Sequence, residues 1–401
     1  MSEFVSLLKT CEISTGKLDS NAMVIGGKYP FFTCAPNPLS INTYSYDDDV
    51  ILLAGNNAAG KFHCQRYCGK FDAYQRTYII KSKSGFDIDY IYYYLKMNLL
   101  AFSKRAQGSQ TKFLTMKILN DFIIKNINFD NQIKLSSVLK NIDQKIQINN
   151  QINQELEAMA KTLYDYWFVQ FDFPDQNGKP YKSSGGKMVY NPELKREIPE
   201  GWGVEKLKDK LSVSRGISYK TENIKDNIGT PMINLASIDI NRNYKSTGLK
   251  YFNGEYLKEK IVSGGDLLIA CTDLTRNADI VGSPIIVPFD EQKYVFSMDL
   301  AKIDSKVDFI NKYYLYSTLR TEHYHNYIKK WASGTNVLHL NLDGMNWYSI
   351  SVPPIELQEE YSQIILNFSK KTNKNIQENQ ELTQLRDWLL SMLMNGQVKV
   401  E

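Results

Sequence analysis

The sequence has no apolar run long enough to cross a membrane, for which a helix needs about 20 consecutive apolar residues. Its opening stretch, MSEFVSLLKT, lacks the pattern of a secretion signal. Cysteine is scarce. The five residues (Cys11, Cys34, Cys64, Cys68, Cys271) are odd in number and irregularly spaced. That argues against a secreted disulfide framework and for a reducing cytoplasm. Net charge is only +4, too small by itself to name a polyanionic partner. Low-complexity segments are absent. What remains is an ordinary folding composition, 43% hydrophobic and 23% charged over 401 residues. Wholesale disorder is excluded, and the length suits two or three units.

Motifs for intrinsic chemistry are also missing. Gly55-Asn-Asn-Ala-Ala-Gly60-Lys61-Phe62 has the GxxxxGK of a phosphate-cradling loop, but Phe62 stands where Ser or Thr must hold magnesium. The following FHCQRYCGKFDAYQRTYII reads as turns and strands, not the required helix. A Gly- and Asn-rich hairpin carrying Lys61 is the better reading. His63, Cys64 and Cys68 are metal-ligand types without the second pair that a structural zinc site needs. His323 and His325, two apart, point to different faces of a helix. No nucleotide fingerprint, methyltransferase loop, serine elbow or His-Glu-x-x-His occurs. Pro174-Asp175 with Lys179 lies in a loop without the strand that a nuclease motif requires.

The chain is instead a duplication. RAQGSQTKFLTMKILNDF from Arg105 matches WASGTNVLHLNLDGMNWY from Trp331, pairing Gly108 with Gly334 at an offset of 226. The same offset pairs Leu114 with Leu340, Phe122 with Tyr348, Gln132 with Gln358, Asn149 with Asn375, Asn153 with Asn379 and Leu163 with Leu389. Upstream the register slips. There YIYYYL (90–95) resembles INKYYL (310–315), and Val50–Ala54 resembles Asp266–Ala270.

Each half is a mixed α/β body followed by a helical tail. Strand-like runs are Val50–Ala54, Thr77–Lys81, Leu267–Ala270 and Ile280–Val287; helix-like runs are Asp89–Ser103 and Ile310–Lys330. The first tail has no Gly or Pro from Asn131 to Trp167. Its stripe is Leu135, Leu139, Ile142, Ile146, Ile152, Leu156, Met159 and Leu163. The second repeats it with Tyr361, Ile365, Phe368, Leu382, Leu385 and Leu389. A helix of this length, roughly 54 Å at about 1.5 Å per residue, needs a partner, and the duplication supplies one. Asn149, Asn153, Asn375 and Asn379 sit at matched places on the stripes. Buried, they would fix the register of a coiled coil; solvated, they would do nothing. Pro174–Gly203 is rich in Gly, Pro, Lys and Ser and reads as a linker.

Charge is local. Gly55–Lys125 holds twelve Lys or Arg against four Asp, with Phe62, Tyr67, Phe71, Tyr74, Tyr78, Phe102 and Phe113 interleaved. Lys206–Lys250 holds nine basic residues against four acids. A basic, aromatic-laced body suits a phosphate backbone, although a solvated basic face has the same composition.

These residues resemble the DNA-specificity subunit of type I restriction–modification systems over nearly the whole chain. The most specific pieces are ISTGKLDSNAM (13–23), KYPFF (28–32), ILLAGNNAAGKF (51–62), GSQTKFLTM (108–116), ELEAMAKTLYDYWFVQFDFP (155–174), NGKPYKSSGGKMVYNPELKREIPEGW (177–202) and Gln358-Glu359-Glu360. The first body starts abruptly, with a short leader before ISTGKLD. The resemblance implies an α+β chain with two mixed α/β target-recognition domains in pseudo-two-fold arrangement. Two long antiparallel helices would join them as a coiled coil and act as a ruler between half-sites. The expected boundaries are 1–130 and 204–354 for the recognition domains, 131–168 and 355–396 for the helices, and 169–203 for the linker. The subunit would be non-catalytic and cytoplasmic, binding double-stranded DNA and no membrane. Its partners would be two adenine-methylating subunits and two ATP-dependent restriction subunits. The chain would bind no cofactor or metal; S-adenosylmethionine, ATP and Mg would belong to the partners. A type II specificity subunit with a fused nuclease–methylase partner shares these features. A coiled-coil adaptor explains the helices but not the matched polar loops, and a stand-alone nucleotide enzyme would have to use GNNAAGKF.

DNA contacts expected in the first body are Asn56, Asn57, Lys61, Arg66, Arg76, Lys104, Arg105, Gln107, Ser109, Gln110 and Lys112. In the second they are Arg215, Lys220, Thr272, Asp273, Arg276, Asn277, Lys330, Ser333, Thr335, Asn336 and His339. Lys and Arg would hold phosphates, while Asn, Gln and Arg would bond base edges. For each, the plain alternative is a surface polar group; for Gly108 and Gly334 it is an ordinary turn before a strand.

Overall fold

Two uninterrupted helical segments organise the chain. The computed structural model describes residues 3–58, 60–108 and 110–398. Without Gly or Pro to break it, the first long helix runs Phe129–Tyr164 and passes into a π turn, Asp165–Val169. The Asn128 side chain accepts from the Asn131 amide at its start. The second long helix, Ile355–Met394, begins after Pro353-Pro354 and ends before Gly396, whose φ of +73° suits a helix stop. Among the described residues, no helix is long and apolar enough to cross a membrane.

The chain folds as two compact units. One combines residues up to Ile148 with those from Asn379; the other is Asn149–Glu378. Each takes half of each long helix, and in each the two halves run antiparallel. In the first unit Asp143 pairs with Arg386 at 2.8 Å, and Leu139 packs with Leu390 and Leu393. In the second, Asn149 donates to Glu378 and Asn375 to Asn153, both at 2.8 Å, and Tyr164 meets Tyr361. Asn149 and Asn375 are buried, as register-setting residues would be. Met159 and Leu385, counted in the apolar stripes, are instead exposed.

The first unit's body is a six-stranded sheet ordered Cys11–Thr15, Thr77–Ser82, Tyr46–Ala54, Cys64–Ala73, Tyr29–Phe32, Leu39–Ile41. All neighbours are antiparallel except Phe31–Phe32 beside Asp72–Ala73. The strand Cys64–Ala73 curves until Ala73 and Thr77 both meet Gly16–Leu18: the Gly16 amide bonds Thr77 and the Lys17 amide bonds Ala73. The second unit repeats this scheme in two sheets. Leu211–Arg215, Leu300–Ser305, Leu267–Ala270 and Pro284–Ile286 form one; Lys250–Phe252, Thr230–Ile233, Tyr294–Phe296 and Ile261–Val262 form the other. The single strand Cys64–Ala73 thus corresponds to two, 284–286 and 294–296, the second again parallel to its neighbour. Gly216 bonds Leu300 and Ile217 bonds Phe296, as Gly16 and Lys17 do in the first unit. The α+β class with two mixed bodies and long antiparallel helices therefore holds.

Matched glutamines show how each body grips its helix. Gln132 is 1% exposed and Gln358 is 0% exposed. Gln132 Oε1 accepts from the Asp87 amide at 2.9 Å, and its Nε2 donates to the Ile127 carbonyl at 2.9 Å. Gln358 does the same with Asn311 at 2.9 Å and Pro353 at 2.8 Å, and also donates to Phe309. Asp87 and Asn311 are the N-caps of the helices Ile88–Met97 and Lys312–Arg320, and each accepts a hydroxyl, from Ser136 and Ser362 respectively. Tyr90 and Tyr314 follow, donating to the Lys125 and Ser351 carbonyls. These contacts correct the upstream register: Tyr90 corresponds to Tyr314, not Ile310, because the cap residue fixes the helix start. Replacing Gln358 by leucine takes the side-chain partner from three backbone groups, one of them buried. It is expected to lower stability in urea by about 2 kcal/mol, and Gln132→Leu should do likewise. A loss below about 0.5 kcal/mol would show that the glutamines merely fill space.

The segment read as linker has structure of its own. Met188–Asn191 pairs with Arg196–Pro199 as a hairpin. Phe171, Phe173, Tyr181, Ile198 and Trp202 pack with Tyr164, Phe168 and Tyr361 in the second unit's aromatic cluster. Asp175, near the nuclease-like pattern, accepts from the Asn177 and Lys179 amides and stabilises a turn. Those bonds hold its carboxyl below the usual range.

Candidate nucleic-acid interface

The first candidate site grows from the end of the apolar strand Tyr46–Ala54. Gly55 donates to the Arg76 carbonyl at 2.9 Å and accepts from Leu114 at 2.8 Å, so the sheet, the 74–77 turn and the 107–113 hairpin meet there. Asn56–Asn57 then pairs antiparallel with Lys112–Phe113. Gln107 and Phe113 exchange both backbone bonds, at 3.1 and 2.7 Å, and close the hairpin. Gly108 enters its turn at φ +106°. A Cβ there would lie 2.0 Å from the Thr111 carbonyl oxygen, so only glycine fits.

The second unit builds the same device. Cys271 donates to Asp299 at 2.7 Å and accepts from Leu340 at 2.9 Å. Thr272–Asp273 pairs with Leu338–His339, and Ala332–Ser333 closes the hairpin against His339–Leu340. Gly334 has φ +138°, and its Cβ would lie 1.9 Å from the Val337 oxygen. The plain alternative for both glycines, a turn before a strand, is thus true of each, with a strained geometry that demands glycine. Position by position, Asn56 answers to Thr272, Asn57 to Asp273, Gln107 to Ser333, Lys112 to Leu338 and Phe113 to His339. The frame is one; the side chains it displays differ.

Most expected residues of the first body converge on this frame. Asn56, Asn57, Gln107 and Lys112 lie in the hairpin sheet itself. The GNNAAGKF segment is no phosphate loop: Phe62 is buried, and the strand Cys64–Ala73 follows at once. Asn57 instead closes a tight loop, its carbonyl accepting from Gly60 and its Oδ1 from the Lys61 amide at 3.1 Å, which leaves the Lys61 side chain exposed. Arg76 lies over the Phe113 ring at 5.2 Å. Lys104 and Arg105 end the helix Leu99–Arg105, which the Ser103 hydroxyl ties to the Gly60 carbonyl. Gln110 is exposed in the hairpin turn, and Ser109 lies outside the described residues. Sequence reasoning missed Phe113, which Arg76 covers, and the exposed Lys17, which the Ala73 bond brings to the 74–77 turn.

Arg66 is a correction. Its guanidinium pairs with Asp49 and Asp89, both at 2.7 Å, and Asp89 also holds Lys140 of the first long helix at 2.6 Å. Burial pushes the Asp89 carboxyl up, but Lys140 and Arg66 more than reverse this and hold it below the usual range. Arg66 therefore ties the body to its helix and is withdrawn as a DNA contact.

In the second body, Ser333, Thr335, Asn336 and His339 are exposed on the hairpin, and Lys330 is exposed in the turn just before it. Arg276 and Asn277 are exposed on a neighbouring loop. Arg215 donates to the Met298 carbonyl at 3.4 Å and thus sits by the turn equivalent to that of Arg76. Three expectations change. Thr272 is buried in its strand. Asp273 is fully buried and accepts from three backbone amides, those of Thr275 at 2.6 Å, Ile280 at 2.7 Å and Val281 at 2.8 Å. Its carboxylate has no room left for a base edge. Lys220 belongs to the turn against Lys250–Phe252, pairs with Glu222 at 3.7 Å, and is not part of the hairpin group. The signal for Asp273 was available: Asp-x-Thr after an apolar strand is a turn-forming pattern.

Comparison with known proteins falls on both halves. The family model for the type I restriction modification DNA specificity domain matches residues 2–158 and again 199–384. The chain belongs to this family. Each match spans a body with much of its long helix and leaves out most of the aromatic hairpin segment. The chain is 30% identical over 209 residues to the EcoDI type I restriction enzyme specificity subunit of Escherichia coli, a match covering 49% of this chain and 46% of that protein. It is 27% identical over 333 residues to the MjaIX specificity subunit of Methanocaldococcus jannaschii, covering 80% and 71%. The matched part is thus less than half the length of the E. coli relative. The crystal structure of a type I restriction–modification S subunit from M. genitalium shares the fold, with a TM-score of 0.60 at 14% identity over 97% of this chain and 95% of that one.

Proposed function

We propose that this chain reads a two-part, asymmetric DNA site, one part per unit, and brings partner subunits to it. The observation that carries this reading is the repeated hairpin, one backbone frame with Gly108 or Gly334 at its turn and different polar residues on display. Different side chains on one frame suit two different half-sites. Basic residues around the frame supply sequence-independent phosphate affinity, and the hairpin's polar residues discriminate bases. The partners are two adenine-methylating and two ATP-dependent restriction subunits. The chemistry, with S-adenosylmethionine, ATP and magnesium, is theirs, and the complex works in the cytoplasm. A modified-base map of a genome expressing the chain with its neighbouring methyltransferase subunit tests this. Methyladenine in a split motif only when the chain is present is expected. Identical maps with and without it, from an intact complex, would sink the reading.

Two substitutions, one just before the first hairpin and one in its turn, separate the roles. Arg105→Ala is expected to weaken cognate and scrambled duplexes alike and to lower the salt slope by about one. Gln110→Ala should relax a single base position at a cost of about 1–3 kcal/mol. Titrations against both duplexes at several salt concentrations decide; equal effects of both variants on both duplexes would defeat the division.

A further inference from the structure

Beside the second hairpin stands a loop four residues longer than its counterpart in the first unit. From Leu53 to its strand partner Cys64 the chain takes eleven steps; from Ile269 to its partner Pro284 it takes fifteen. The four added residues fall between Asp273 and Val281. Asp273, 0% exposed, locks both ends, binding the Thr275 amide at one and the Ile280 and Val281 amides at the other. Within the loop, Thr275 Oγ1 accepts from the Asp279 amide at 2.8 Å, and Ala278 takes the left-handed conformation at φ +56°. The residues between the locks are therefore fixed in shape. Asp273 pairs with Leu338, the first strand residue after the 334–337 turn, so the loop leaves the sheet on the same side as that turn. The loop carries the exposed Arg276 and Asn277, and with them Leu274, 65% exposed.

An exposed leucine is unremarkable on a mobile surface, but here it belongs to a hydrogen-bonded loop that carries Arg276 and Asn277 and leaves the sheet beside the 334–337 turn. Arg and Asn recognise base edges by hydrogen bonds; the thymine C5 methyl group offers none and is recognised only by apolar contact. The corresponding residue of the first unit, Ala58, is also apolar and exposed but shorter. We infer that Leu274 is a specificity-determining residue that contacts the C5 methyl group of a thymine in the half-site read by the second unit. This rests on the DNA-reading function proposed above.

The test is selection from a randomised duplex pool by the full chain, with the pool amplified once with thymine and once with uracil. Titration of the enriched duplexes follows. For the wild type, one second-half-site position should bind about three- to five-fold more weakly as uracil, the value of one buried methyl group. Leu274→Ala, at an exposed site, should keep the rest of the consensus and bind both bases alike there, while Leu274→Met keeps the preference. Retained thymine preference in Leu274→Ala overturns the inference. So does an equal loss on every duplex, which marks a wedge between base steps. A wild type that binds specifically yet ignores uracil overturns Leu274 alone; no salt-dependent binding to any duplex sinks the DNA-reading function itself.

Discussion

Asp273→Ala should destabilise the Asn149–Glu378 unit by about 4 kcal/mol, a larger effect than any hairpin substitution has on stability. Three amides lose a charged acceptor, each such bond being worth about 1.5–3 kcal/mol. Two of them, on Ile280 and Val281, lie in buried residues that water reaches only if the loop opens. Removing a buried anion also removes its desolvation cost, which keeps the total below the sum of three bonds. Asp273→Asn retains one acceptor but turns an NH₂ group toward donors, so it should fall in between. Urea unfolding followed separately for the two units measures this, since one two-state fit does not describe a two-unit chain. A change below about 1 kcal/mol would mean that the amides are satisfied elsewhere. The same variant should lose base discrimination in the second half-site only, because the loop that presents Arg276 and Asn277 no longer keeps its shape.

Asp273 also shows what a sequence does and does not disclose. The offset of 226 was legible because several independent constraints hold it: the turn glycines, the glutamine clamps, and the serines Ser136 and Ser362 on the helix caps. None of these tolerates an inserted residue. Upstream, loops absorb insertions, so similar letters mislead. YIYYYL resembles INKYYL, yet the helix start is fixed by Asp87 and Asn311, each three residues before its buried tyrosine. The strand Cys64–Ala73 and its two-part counterpart share pairing and little else, and pairing is a property of the backbone.

The candidate site divides in the same way. Exposed polar residues next to the turn glycines were found because spacing places them there. Arg66 and Asp273 were misassigned because a charged letter does not say whether its partner is DNA or another residue of the chain. Arg66 meets Asp89 across 23 positions, and no local pattern announces that contact. The aromatic segment after Asp165 was hidden by its Gly- and Pro-rich composition, although Phe168, Phe171, Phe173, Tyr181 and Trp202 already supplied the material of a small core.

Gly334→Ala should separate recognition from folding more sharply than any other change. At φ +138° an L side chain is strained wherever it sits, and the added Cβ meets the Val337 carbonyl, a backbone atom that cannot swing aside. The hairpin must reshape. Because Ser333, Thr335 and Asn336 are exposed, little apolar burial is lost, and stability should fall by only about 1–2 kcal/mol. The displayed residues, however, leave their register together. With two base contacts at about 1–3 kcal/mol each, discrimination in that half-site should fall by roughly a hundredfold, while phosphate affinity through Lys330 and its neighbours survives. Gly108→Ala should do the same to the half-site read by the first unit and leave that of the second untouched. Titrating each variant against duplexes altered in one half-site at a time gives the answer. A Gly334→Ala protein that unfolds wholesale would place the hairpin in the core of its unit, and one that still discriminates at full strength would remove the hairpin from the interface.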